Sequence, residues 1–167
     1  MDSSALTRFE AAVLPHLDAA YTLARYLVRN AHDAEDVVQD ACLRALKYFD
    51  SFRGEGETSA RAWLLTIVRN TAFTRRRHHR AEALATEFDE TQHSQVDVDD
   101  PPDRELLARA LDRLAPEFRE VIVLREIEGL SYKEIGDVAG VPVGTVMSRL
   151  SRARARLQEA LRETERR

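Results

Sequence analysis

Residues 85–103 read ATEFDETQHSQVDVDDPPD, and this stretch limits what the 167-residue chain can fold into more than any other. Apolar periodicity stops there, acidic residues accumulate, and Pro101 with Pro102 opposes continuation of a helix. Structureless loops this long are uncommon inside a compact domain, so 85–105 reads as an acidic flexible linker between a unit over 1–84 and a unit over 106–167. Charge segregates in the same way: 12 Lys/Arg against 11 Asp/Glu over 1–84, 1 against 8 over 85–105, and 12 against 10 over 106–167. The net charge of −4, which at face value argues against a nucleic-acid binder, resides in the linker.

Both flanking units read as all-α, giving two small helical domains. In the first, Leu17, Ala20, Tyr21, Ala24, Leu27 and Val28 recur at three- and four-residue spacing, with Pro15 suited to the first turn. Asp33 reads as the N-cap of a second helix burying Val37, Val38, Ala41, Cys42, Ala45, Leu46 and Phe49. Asp50–Ser59, with Gly54 and Gly56, reads as a loop. A third helix from about Ala60 buries Trp63, Leu64, Ile67, Val68 and Thr71, and ends in Arg75, Arg76, Arg77 and Arg80. After the linker, Leu106, Leu107, Ala110, Leu111 and Leu114 mark one helix, and Phe118, Val121, Ile122, Leu124 and Ile127 the next, closed by Gly129. No segment alternates with period two over a strand's length.

The segment SYKEIGDVAGVPVGTVMSRLSRARARL carries the strongest chemistry. Ser131 and Glu134 form a capping box, Gly140 supplies a tight turn, and Pro142 suits the first position of a following helix. That helix places Val146, Leu150, Ala153 and Leu157 on one face. Thr145, Ser148, Arg149, Arg152 and Arg156 gather on a neighbouring one. Cations and hydroxyls on the second helix of such a pair suit the major groove, where arginine reaches guanine edges or phosphates. A plain solvated hairpin would not require the cap, the turn and the paired faces to coincide.

Other classes are poorly served. No apolar run approaches the roughly 20 residues of a membrane span. Asp2, Arg8 and Glu10 interrupt any signal-peptide core, so no membrane insertion and a cytoplasmic location are expected. Cys42, the only cysteine, reads as a small core residue and cannot form an internal disulfide or thiolate cluster. His16, His32, His78, His79 and His93 show no HExxH spacing, and no phosphate loop or nucleophile elbow occurs, so neither enzyme, metal site nor cofactor is expected.

GLSYKEIGDVAGVPVGTVMSRLSRARARL resembles the C-terminal promoter-binding region of extracytoplasmic-function sigma factors of bacterial RNA polymerase. DAEDVVQDACLRALKYFDSF resembles the helix with which these factors grip the polymerase clamp, and ARAWLLTIVRNTAFTRRR their promoter-melting helix. The resemblance implies core RNA polymerase, promoter DNA and an anti-sigma factor as partners. It implies that Asp36, Gln39 and Asp40 pair with basic residues of the clamp. Asn70 would contact an unstacked base of the minus-ten element, with Arg69, Arg75, Arg76 and Arg77 meeting the backbone; Trp63 reads as core. Thr145, Ser148, Arg149, Arg152 and Arg156 would engage the minus-thirty-five element, and Ser51–Thr58 resembles the loop that receives a flipped base. Similar recognition helices often carry Arg or Lys where this chain has Met147, so one polar contact is absent or replaced by apolar contact with a thymine methyl.

A relaxed 19-residue tether spans about 24 Å, against roughly 34 Å for one turn of duplex. Two weak readers on such a tether need polymerase to hold them apart. A regulator with a sensory N-terminal domain, or a sigma-like protein serving only an anti-sigma factor, are the competing readings.

Overall fold

The computed structural model describes residues 2–53, 57–85 and 102–166, and every regular element among them is helical. The chain opens with a helix not expected from the sequence, α1 (Ser3–Val13), capped by Asp2, whose carboxylate accepts from the Ala5 amide at 2.7 Å. Pro15 falls in a one-turn 3-10 segment, Leu14–His16, that separates α1 from α2 (Leu17–Leu27), so it precedes α2 instead of lying within its first turn.

The N-cap of α3 (Ala31–Lys47) is Asn30, three residues before the expected Asp33. An amide side chain serves twice here. Its Oδ1 accepts from the Asp33 amide and its Nδ2 donates to the Asp33 carboxylate, each at 2.7 Å. A 3-10 turn, Phe49–Ser51, follows, and α4 runs from Glu57 to Ala85, starting earlier than expected. Of the loop expected over 50–59, residues 54–56 lie outside the described residues.

The second unit comprises α5 (Pro102–Asp112), α6 (Pro116–Ile122), α7 (Tyr132–Ala139) and α8 (Val143–Glu165). Pro102 opens α5, where its missing amide costs nothing, so 102–105 are helical and not linker; residues 86–101 lie outside the described residues. The expected single helix over Phe118–Ile127 is α6 continued as a π-turn, Val123–Ile127, after which Gly129 turns the chain with φ +68°.

Ala20, Leu23 and Leu27 of α2, Val37, Ala41 and Ala45 of α3, and Leu64, Leu65, Val68 and Ala72 of α4 make one core. Each fully buried leucine contributes about 1.5–3 kcal/mol relative to exposure. Leu111, Val121, Leu124, Ile135, Val146 and Leu150 make the other. Cys42 is half-buried against the first core. The sequence reading keeps the two units apart on a tether, but in the structure they are docked: α2 packs against α5 and α6, α4 packs against α7, and the buried apolar residues form one continuous cluster.

Candidate functional site

The helix-turn-helix forms as its sequence dictates. The Ser131 hydroxyl accepts from the Glu134 amide at 3.1 Å, and the Glu134 carboxylate accepts from the Ser131 amide at 3.0 Å. Gly140 ends α7 with φ +71°, a left-handed conformation that costs a side-chain-bearing residue about 1–2 kcal/mol. Gly136 matters for a different reason: a Cβ there would lie 2.8 Å from the Val141 carbonyl oxygen, so only glycine lets α7 meet the turn. Pro142 is the N-cap of α8, one position before its expected place.

On α8, Val146, Leu150 and Ala153 are buried and Leu157 is half-buried. Of the residues expected to meet DNA, Ser148, Arg152 and Arg156 are exposed, whereas Thr145 and Arg149 are half-buried. The Arg156 guanidinium lies over the Phe118 ring, 4.6 Å from its centroid. Arg149 lies close enough to Glu120 to favour its ionised form.

The basic end of α4 is largely engaged within the chain. Arg75 donates to Asp33 at 3.0 Å and to Asp36 at 3.1 Å, so a residue expected at the DNA pairs with one expected at the clamp. Arg76 reaches the Leu27 carbonyl at 3.4 Å, and Arg77 the Thr74 hydroxyl at 3.3 Å. Arg69 stacks over Phe73 and donates its Nε to Glu120 at 2.7 Å, across the docking seam. Asn70 is exposed and accepts from Arg69 at 3.2 Å. Trp63 packs with Phe49 and Phe52, the latter 4.9 Å away between centroids, in agreement with a structural role. From Arg77 to Ala85 every side chain is exposed, so the last turns of α4 project from the bundle.

On α3, Asp36, Gln39, Asp40 and Leu43 share one stripe at three- and four-residue spacing. Gln39 is exposed, Asp36 and Asp40 half-buried, and Leu43 exposed although apolar. Asp40 pairs with Arg44 and Asp36 also faces His32.

The sequence reading missed the residues at the seam. Arg119 is buried and bonds four main-chain carbonyls, those of Leu111, Asp112 and Leu114 in its own unit and Tyr26 in the other, at 2.8–3.2 Å. A cation among the last carbonyls of α5 and α2 complements both helix dipoles. Burial, and then nearby Arg76, lower its pKa to about 10. Glu120 has no exposed surface, and burial raises its pKa against the opposing pull of Arg69. Burial likewise raises that of Asp112, with Arg119 and Arg29 opposing. Arg61 of α4 reaches the Glu128 carbonyl at 3.3 Å and Glu134 at 3.7 Å. The available signal was an Arg-Glu pair at 119–120 embedded in the apolar run from Phe118 to Leu124. Among the described residues no cluster of His, Cys, Asp and Glu could hold a metal, and no helix is long and apolar enough to cross a membrane.

Two family models match: sigma-70 region 2 over residues 12–82 and sigma-70, region 4 over 104–157. The ECF RNA polymerase sigma factor SigE of Mycolicibacterium smegmatis is 36% identical over 96% of this chain, which spans 64% of that protein's length. The ECF RNA polymerase sigma-E factor of Haemophilus influenzae is 37% identical, with 83% of this chain and 79% of that one covered. The RNA polymerase sigma-H factor of Pseudomonas aeruginosa is 33% identical, with 92% and 86% covered. Among solved structures, the sigma factor RpoE of Bartonella quintana, in complex with the anti-sigma factor NepR, superposes with a TM-score of 0.80 at 34% identity, covering 93% of this chain and 97% of that one. CnrH, in complex with the cytosolic domain of CnrY, gives 0.68 at 32%, covering 93% and 88%.

Proposed function

The chain belongs to the extracytoplasmic-function group of bacterial RNA polymerase sigma factors, and on that footing we propose that it binds core RNA polymerase and directs it to promoters. Residues 1–84 act on the polymerase clamp and the minus-ten element, and 106–167 on the minus-thirty-five element, with the acidic stretch between them suited to a basic channel of the polymerase. It works in the cytoplasm, where its relatives' polymerase is, as an initiation factor and not as an enzyme.

The observation carrying this reading is the capped helix-turn-helix, its second helix presenting exposed Ser148, Arg152 and Arg156, in one chain with a long basic helix. Arginine and hydroxyl groups at a groove edge bond bases and phosphates. At the minus-ten element, Asn70 supplies an amide to an unstacked base while Arg69, Arg75, Arg76 and Arg77 neutralise the strand. Asp36, Gln39 and Asp40 meet basic residues of the clamp, with Leu43 adding apolar contact. Thr145 and Arg149 complete the upstream contact surface.

The docked arrangement adds a condition. Arg69 is committed to Glu120, so its use on DNA requires the two units to separate. Polymerase, holding each unit, supplies the work of separation. A sigma factor similar in fold was solved with an anti-sigma factor, and we infer that such a partner holds this chain in its docked state.

The test is single-round transcription with purified chain and core polymerase on a library of random promoters. A specific transcript with enrichment of two sequence elements supports the proposal; failure to bind core or to start any transcript overturns it.

A further inference from the structure

Val143 and Met147 are bulky apolar residues that stand 42% and 54% exposed at the start of α8, and nothing in the fold accounts for them. They are four residues apart and therefore occupy one face, a turn apart. They lie outside the stripe through Val146, Leu150 and Ala153 that holds α8 to its unit. In water their surface gains nothing; it contributes only when another apolar group covers it.

The surroundings say what that group is. Beside the pair runs a line of small exposed residues, Gly144, Ser148, Ser151 and Ala155, and nothing stands within 4 Å of where a Gly144 side chain would begin. A helix this slim on its outer face can sit deep in a major groove about 12 Å wide and 8.5 Å deep. Its first residues then approach base edges, as in other helix-turn-helix units. The start of α8 carries no acidic residue and no side-chain cap, so nothing there repels phosphate. Further along the stripe of Val143 and Met147 comes Arg154, but its guanidinium is held by Glu126 at 2.7 and 3.0 Å. The cations Arg149 and Arg152 lie towards the other side of the small-residue line. One shoulder of the helix is therefore polar and the other apolar, and the apolar group that the major groove offers is the thymine C5-methyl.

We propose that Val143 and Met147 are specificity-determining residues that read thymine methyl groups in the upstream promoter element. The inference rests on the DNA-reading role proposed for α8 and specifies which bases its apolar shoulder selects.

The test uses the full chain with core polymerase and the upstream element selected from the random library. Single thymidines of that element are replaced by deoxyuridine, which keeps every hydrogen-bonding group and lacks only the methyl. At one or two positions the replacement lowers promoter binding about fourfold, the factor expected for one buried methyl group. In the Val143→Ala/Met147→Ala double variant, whose exposed positions leave thermal unfolding unchanged, the thymine and uracil templates bind alike. Met147→Arg shifts the selected base towards guanine. Equal binding of both templates by the wild-type chain, with dependence on the upstream element intact, overturns the methyl reading and leaves the role of α8 standing. Discrimination retained in the double variant also overturns it. Loss of all dependence on the upstream element overturns the underlying reading of α8 as well.

Discussion

Arg69 of α4 donates its Nε to Glu120 of α6 at 2.7 Å, and the carboxylate it meets has no exposed surface. The bond ties the expected melting helix to the promoter-reading unit, 51 residues further along the chain. Removing one partner of such a pair leaves a buried charge and costs about 3–5 kcal/mol, whereas replacing both with apolar groups is often neutral. Arg69→Met should therefore open the docked form, and Arg69→Met/Glu120→Met should largely restore it. Small-angle X-ray scattering checks this through the radius of gyration. An unchanged profile for the single variant would place the strength of docking elsewhere.

Folding should also respond to acid. Burial holds the pKa of Glu120 above its ordinary 4.5, so the folded chain binds a proton at this group more tightly than the unfolded chain. The contribution from this group is present below 4.5 and is lost as pH rises through the raised value. Lowering pH from neutral towards 4.5 should therefore add to stability against denaturant through this group, and Glu120→Gln should remove that part of the dependence. The difference between the two titrations isolates this carboxylate from the others.

The turn of the helix-turn-helix depends on two glycines for different reasons. Gly140→Ala should cost about 1–2 kcal/mol from its left-handed backbone. Gly136→Ala forces a methyl against the Val141 carbonyl and should cost about 1–3 kcal/mol by overpacking. Chemical denaturation measures both. Gly144→Ala, at an open site, should leave stability nearly unchanged or slightly raised.

Promoter and polymerase contacts should separate by mutation. Arg152→Ala should weaken promoter binding and lower the salt dependence by about one phosphate contact, leaving affinity for core polymerase unaltered. Gln39→Ala should do the reverse. Asp36→Ala should affect both, because it also loosens Arg75, which then keeps only Asp33. Fluorescence anisotropy with labelled promoter and labelled core reads each outcome, and an Asp36→Ala effect confined to core would mean that Asp36 does not restrain Arg75 from the DNA.

The helix-turn-helix was legible because its signals are local: a capping box, a left-handed glycine and an apolar stripe at helical spacing, all within Ser131–Leu157. Other elements competed less clearly. The helix α1 escaped notice although Phe9, Ala12 and Val13 face the core, because Leu6 and Leu14 are solvent-exposed and blur its periodicity. The cap of α3 was misplaced because Asn30 and Asp33 are both good cap residues and bond one another. Most hidden was the docking seam, which rests on ion pairs and carbonyl contacts between residues 51 to 93 positions apart. Such contacts leave no period in a sequence. They also engage Arg69, expected to be free for DNA, whereas Arg75 is held inside its own unit by Asp33 and Asp36.

Arg119 fastens the seam to the Tyr26 main-chain oxygen and not to its side chain. Every amino acid carries that oxygen, so no replacement at position 26 can delete the acceptor, while a single change at 119 removes all four bonds at once. Mutational drift along α2 can therefore reshape the surface of the joint without unfastening it, and vulnerability concentrates on one side chain in α6.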